Sequence, residues 1–272
     1  MAAVDYRAQT TLITGASAGI GEQFSRRLAA LGSDLVLVAR REDRLERLAE
    51  ELRAAHGVRV HVVAIDLAQA NAGAALAENL ARAGVRVTSV INNAGFGTYG
   101  LFHEEDPQRL RQEIALDVMA VVDISRAFIT QLRAAGHGFL LNVASMAAYQ
   151  PNPRMAVYGA AKAFVLNFTE ALWEESRGSG LRVMAFSPGA TRTEFFDVVG
   201  TEDAAGGTTL RSPVEVVENA LAALGRKRTP PSMASGRMNR VVAAVMHRVL
   251  PRRRIVQIMG RMTTPKTKPI SA

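Results

Sequence analysis

Short apolar runs alternate with longer amphipathic stretches from Thr10 onward, and this rhythm leaves few folds open to the chain. Thr10 to Thr14 is a β-branched, apolar run. Phe24, Leu28 and Leu31 then recur at spacings of four and three, the period of a helix with one buried face. The pattern repeats: an apolar run over 35–39, a charged helical stretch over 41–56 with Leu45, Leu48 and Leu52 inward, and another run over 58–65. Further strands are expected at 89–91, 139–143 and 181–186, with helices near 70–83, in one long stretch after Pro107, and over 157–177. Strands joined by helical crossovers run in the same direction, and those crossovers are right-handed. The expected fold class is therefore α/β: a Rossmann-type doubly wound parallel sheet with helices on both faces over residues 1–236, then a C-terminal helical extension over 237–272.

The extension stands out by charge. Of 33 basic residues twelve lie between Gly225 and Ala272, where none of the 25 acidic ones falls, so residues 1–224 hold 21 bases against 25 acids. The excess of positive charge is a local property of the tail. Tyr, Phe and Trp are absent from it, so it has no stacking platform for bases and no nucleic-acid partner is expected. On a helical wheel Met238, Val241, Val242, Val245 and Val249 oppose Arg237, Arg240, His247 and Arg248. Beyond Pro251, Ile255, Ile258, Met259 and Met262 oppose Arg253, Arg254 and Arg261. Two readings stay open: these faces meet an anionic membrane surface, or they pack on the parent domain, its substrate site or an oligomer partner. Residues 1–10 lack the apolar core of a signal peptide, and no 18-residue apolar window occurs, so a cytoplasmic protein, at most peripheral to a membrane, is expected. There is no cysteine, and the five histidines form no close pair, so no metal site is expected.

Gly15, Gly19 and Gly21 follow the first apolar run directly and open a helix, a turn that lets backbone approach a pyrophosphate at a helix N-terminus. Their Gly-x-x-x-Gly-x-Gly spacing differs from the general dinucleotide fingerprint. Three further motifs follow: Asn92-Asn-Ala-Gly95, Ser145 with Tyr158-Gly-Ala-Ala-Lys162, and Ser187-Pro-Gly189. In this order the four resemble the marks of the short-chain dehydrogenase/reductase family, over about Thr10 to Leu224. The resemblance implies an NADP(H)-dependent oxidoreductase in which Ser17 and Ile20 join the glycine turn, Asp66 and Leu67 flank the adenine, Asn92, Ala94 and Gly95 line its floor, and Pro188, Gly189 and Thr193 reach the nicotinamide. Arg40 and Arg41 end the second strand where an NAD-preferring enzyme usually carries an acid, and a guanidinium there accepts a 2′-phosphate; Arg40 is the expected contact.

Tyr158 and Lys162 share a helix face at a spacing of four, close enough for an ammonium to stabilise a phenolate. The family resemblance makes Tyr158 the general acid/base, Lys162 also the holder of the nicotinamide ribose, and Ser145 the hydrogen-bond partner of the substrate oxygen. Asp117 stands where the family usually has an asparagine that relays protons to the lysine; an aspartate accepts but cannot donate. Tyr149 has Pro153 four residues on and is read as a pocket wall. Phe96, Leu101, Met146, Met155, Phe195 and Phe196 suggest an apolar pocket for a carbonyl or alcohol. The resemblance also implies a homodimer or homotetramer packed through the helices that carry Asp117 and Tyr158. The rival reading is a non-catalytic NADP(H)-binding redox sensor that docks through its tail.

Overall fold

A computed structural model describes residues 4–265, with the side chains of 244–249 left aside. Val245, His247, Arg248 and Val249 of the helical wheel thus lie outside the described side chains, as do residues 1–3 and 266–272 altogether. Seven parallel strands form one sheet: β1 (Thr10–Thr14), β2 (Asp34–Ala39), β3 (Val60–Ala64), β4 (Ser89–Asn92), β5 (Phe139–Val143), β6 (Arg182–Ser187) and β7 (Ser232–Ala234), in the order β3-β2-β1-β4-β5-β6-β7. The order reverses between β1 and β4, so a crevice opens there at the carboxyl ends of the strands.

Both faces of the sheet are covered, which is why its strands read as nearly continuous apolar runs. Leu35 and Leu37 of β2 point to one side and Val36 and Val38 to the other. On the first side lie Phe24 and Leu28 of α1 (Gly19–Ala30), Leu45 and Leu48 of α2 (Glu42–His56), and Val216 and Ala220 of α8 (Pro213–Leu224). On the second lie Leu76 and Leu80 of α3 (Ala72–Arg82) with Ile124, Phe128 and Leu132 of α5 (Ala120–Ala135). Each such Leu or Phe, removed from water, stabilises the fold by about 1.5–3 kcal/mol.

Three elements differ from the sequence reading. The long helix after Pro107 runs unbroken to Ala135 but not at one pitch: α4 (Pro107–Ile114) passes through a π-helical turn at Ala115–Met119 into α5. β7 contains no β-branched residue, so its sequence carries no strand signal; it is recruited by backbone pairing of Ser232 to Ala185. The third, α8, has a start signal in Ser212-Pro213, because Ser212 accepts from the Val214 N–H and proline suits the first helical position.

The remaining helices are α6 (Ala156–Glu175), α7 (Phe195–Val199), α9 (Arg237–Val249) and α10 (Arg252–Met262). Of the two open readings of the tail, α10 meets the packing one on one face. Ile255 is fully buried, and the Thr263 carbonyl just beyond the helix accepts from the Tyr99 hydroxyl, so one face packs on the parent domain. Ile258 and Met262 are exposed beside Arg254 and Arg261. No described helix is long and apolar enough to cross a membrane.

Candidate active site

At the β1–β4 switch point, Gly15 and Gly19 both adopt positive φ, 67° and 59°. A side chain at Gly19 would press on Thr193, its Cβ 3.0 Å from Cγ2, so the segment after β6 crosses directly over the glycine turn. The N-cap of α1, Ala18, offers no side-chain oxygen, which leaves the first N–H groups at Gly19, Ile20 and Gly21 open to an anion. These features fit a dinucleotide pyrophosphate. Asn93 ties β4 to β1 by donating from Nδ2 to the Thr14 carbonyl at 2.9 Å, while Thr14 Oγ1 accepts from the Asn93 and Ala94 N–H groups. Asn92 acts on the other side of the strand. Its Nδ2 donates to Asn142 Oδ1 and Ser125 Oγ beneath the sheet, so its side chain faces the core. Asp66 accepts from the Ala68 N–H and from Gln69, forming a turn after β3, and Leu67 beside it is buried.

At the rim of the turn, the residue that engages Ser17 is Arg41: Nε and Nη2 donate to Ser17 Oγ at 3.3 and 3.1 Å. Arg40, the expected contact, is exposed. Arg41 and Arg44 both reach Glu194, a residue that the apolar reading of the segment after Thr193 passes over.

The catalytic residues named from sequence converge. Ser145 ends the stretch after β5, Tyr158 and Lys162 sit in the first turns of α6, and the π-turn brings Asp117 under them. Lys162 Nζ lies 2.9 Å from Asp117 Oδ2 and 3.5 Å from the Val143 carbonyl. Asp117 Oδ1 accepts from the Phe96 N–H at 3.0 Å. Gly95 permits this close packing, since a Cβ there would stand 2.9–3.0 Å from both Asp117 oxygens and from Lys162 Nζ. π-turns widen a helix locally and recur at functional sites.

Burial works against every charge here. It would lower Lys162, but the carboxylate of Asp117, and then Tyr158, hold the ammonium above its usual value. The buried pair titrates as one unit, with Lys162 cationic. For Tyr158 burial wins over Lys162, and Asp117 adds to it, so the phenol titrates above its ordinary value. This reverses the expectation from Lys162 alone, because desolvation disfavours a phenolate more than one ammonium, shared with Asp117, restores it. Ser145 interacts with the phenol in the opposite sense, favouring its ionised form.

Sequence reasoning missed Glu113. It is fully buried one turn before Asp117, with Oε2 accepting from the Thr98 hydroxyl at 2.9 Å and Oε1 without a partner. Burial pushes its carboxyl up to about 7. Its only signal in the sequence is an acid one turn before Asp117 in a helix whose other charges are basic.

Of the proposed apolar lining, Phe195 packs on the Tyr158 ring at 5.4 Å, and both approach Gly97 together with Met155. Phe196 is buried, whereas Leu101 is exposed. Pro188 accepts from the Met146 N–H, fixing the loop after Ser145 against the segment leading to Gly189 and Thr193. Tyr149 stands outside this cluster, among residues lining a groove with Pro153 and Arg252.

Comparison with known proteins agrees with this geometry. Residues 9–204 match the family described as short chain dehydrogenase. A sulfoacetaldehyde reductase 2 from Chromohalobacter salexigens is 37% identical over 186 residues, 68% of this chain and 73% of that protein. Among solved structures, a short-chain dehydrogenase from Sphingobium yanoikuyae in complex with NADPH superposes with a TM-score of 0.75 at 35% identity, covering 84% of this chain and 86% of that one. A 7beta-hydroxysteroid dehydrogenase gives 0.81 at 27% identity over 93% and 96%. With the glycine turn, the Ser145–Tyr158–Lys162 cluster and a match over most of its length, the chain belongs to the short-chain dehydrogenase family.

Proposed function

We propose that this protein is an NADP(H)-linked oxidoreductase that reduces an apolar carbonyl, or oxidises the matching alcohol, with Tyr158 as the proton-transferring residue. The observation that carries the reading is the convergence of Ser145, Tyr158, Lys162 and Asp117 beside the glycine turn. Bound NADPH would supply the hydride, resting its pyrophosphate on the turn at Gly15, Ser17, Gly19, Ile20 and Gly21. Backbone at Asn92, Ala94 and Gly95, together with Asp66 and Leu67, forms the adenine side, and Pro188, Gly189 and Thr193 the nicotinamide side. Ser145 donates to the substrate oxygen, and Tyr158 passes its proton to that oxygen as charge develops. A phenol held above its usual pKa stays protonated and so suits reduction. Lys162, kept cationic by Asp117, steadies the phenolate that remains.

The apolar substrate class rests on Phe195, Met155 and Gly97 around the phenol. Replacing Tyr158→Phe is expected to lower NADPH-dependent ketone turnover roughly 10²–10⁴-fold while NADPH binding, followed by fluorescence, persists. Unchanged turnover overturns the assignment. Intact binding with no turnover of any ketone by the unaltered protein favours the redox sensor instead.

Residues 237–272 act as an extension of the domain at 1–236 and place it on an anionic membrane surface. Met238 and Val241 are 70% and 55% exposed beside Arg237 and Arg240, an arrangement suited to shallow insertion between acidic headgroups. Co-sedimentation with phosphatidylserine vesicles, lost in high salt and in Met238→Asp, checks this. Exposed Ile114, Met119 and Phe164 on the helices bearing the site support a homo-oligomer, checked by light scattering.

A further inference from the structure

Two guanidiniums from the start of α2 converge on one carboxylate from the opposite side of the crevice. Arg41 Nη1 donates to Glu194 Oε2 at 2.8 Å, and Arg44 Nη1 donates to Oε1 at 2.5 Å. The partners lie 153 and 150 residues apart in sequence, so this bridge joins the start of α2 to the segment over the substrate site. Arg41 is aimed by its second contact, to Ser17 Oγ in the glycine turn. The hydrogen bonds from Arg41 and Arg44 hold the Glu194 carboxyl below the usual carboxylate range. All three side chains are about two-fifths exposed, so another anion can reach them.

We propose that Glu194 is a place-holder for the 2′-phosphate of NADP(H): Arg41 and Arg44 grip its carboxylate until the phosphate takes them over. The inference rests on the NADP(H) reading above. A phosphate offers three oxygens, and up to two charges, to guanidiniums that a carboxylate meets with two oxygens and one charge. The exchange also bears on the substrate site, because Glu194 lies between Thr193, against Gly19, and Phe195, against Tyr158. Arrival of the 2′-phosphate therefore frees the start of α7 one residue away from the aromatic ring that covers the phenol. Cofactor enters first, and the substrate site loosens in response.

The test uses the full chain and two probes, 2′,5′-ADP and 5′-AMP, with affinities read by calorimetry and amide hydrogen exchange read over residues 194–206. In the unaltered protein 2′,5′-ADP is expected to bind more tightly than 5′-AMP and to speed exchange over 194–200, which 5′-AMP does not. Glu194→Gln is expected to tighten 2′,5′-ADP roughly fivefold with 5′-AMP unchanged, the scale of one or two exposed ion pairs. Its exchange over 194–200 is fast without ligand. If the unaltered protein does not prefer 2′,5′-ADP, the NADP(H) reading fails. If it does prefer it, but Glu194→Gln leaves that affinity unchanged or weakened, the place-holder is overturned and the cofactor reading stands. Exchange over 194–200 that ignores 2′,5′-ADP overturns the coupling to α7.

Discussion

Lys162–Asp117 and Arg41–Glu194 are ion pairs of nearly the same length, 2.9 and 2.8 Å, in opposite surroundings. The first pair is 6% and 0% exposed, the second 41% and 43%. In water-free packing a charge has nothing to exchange its partner for, so the pair is fixed and removal of one member strands the other. Near the surface, water and salt stand ready to replace either partner, so the contact contributes little to stability and can be exchanged for a ligand. Proximity alone therefore does not tell a fixed ion pair from an exchangeable one; burial does.

The sharpest way to break this comparison is to delete each carboxylate. Asp117→Ala is expected to destabilise the fold by about 3–5 kcal/mol in urea unfolding, because it leaves a buried ammonium alone, and to remove most ketone turnover. Asp117→Asn, which keeps the shape but removes the charge, is expected to cost less stability than Asp117→Ala, because it leaves no cavity, and to shift the pH profile of turnover to lower pH, as both Lys162 and Tyr158 lose a nearby negative charge. An unchanged profile would show that Asp117 does not set the protonation of the site.

Glu113 adds an intermediate case, a buried carboxyl with no cation on it. Its folded pKa of about 7 lies above the unfolded value near 4.5, so between these values the folded protein holds the extra proton. Its stabilising effect is full below about pH 4.5 and is lost as pH rises through about 7. Glu113→Gln is expected to flatten this fall in stability between pH 5 and 8, measured by urea midpoints. A fall of the same slope in the variant would place its origin elsewhere. The smallest effect is expected from Glu194→Gln, within about 1 kcal/mol of the unaltered protein at low salt and indistinguishable from it at 1 M salt. A loss above 3 kcal/mol would make Glu194 structural.

Much of the fold is legible in the sequence because burial on both faces leaves six apolar runs, and because Ser145, Tyr158 and Lys162 are local in sequence or shared by one helix face. What escapes depends on partners that only folding supplies. β7 is a strand because β6 offers it an edge, not because Ser232, Met233 and Ala234 favour extension. Arg40 and Arg41 are adjacent and chemically the same, and which of them faces Ser17 depends on how the chain turns after β2. Asp117 is recognisable, but the π-turn that delivers it is not written in residue type. Glu194 carries no local signal of its pairing, since its two cations lie far earlier in the chain.

The bond from Tyr99 to the Thr263 carbonyl spans 164 residues and bears on how the protein is made. The glycine turn and β1 to β4 leave the ribosome early, and the strand pairing among them is complete by Asn92. The loop at Tyr99 gains its bond to Thr263 only after α10 has followed. During synthesis the nascent chain thus passes through a stage in which β1 to β6 are made while the loop at Tyr99, tied by Thr98 to Glu113 and by Gly100 to Arg154, still lacks its bond to Thr263. A chain stopped before Arg252 is expected to retain 2′,5′-ADP in a pull-down yet show protease cleavage at 97–105, where the chain carried through Thr263 resists it.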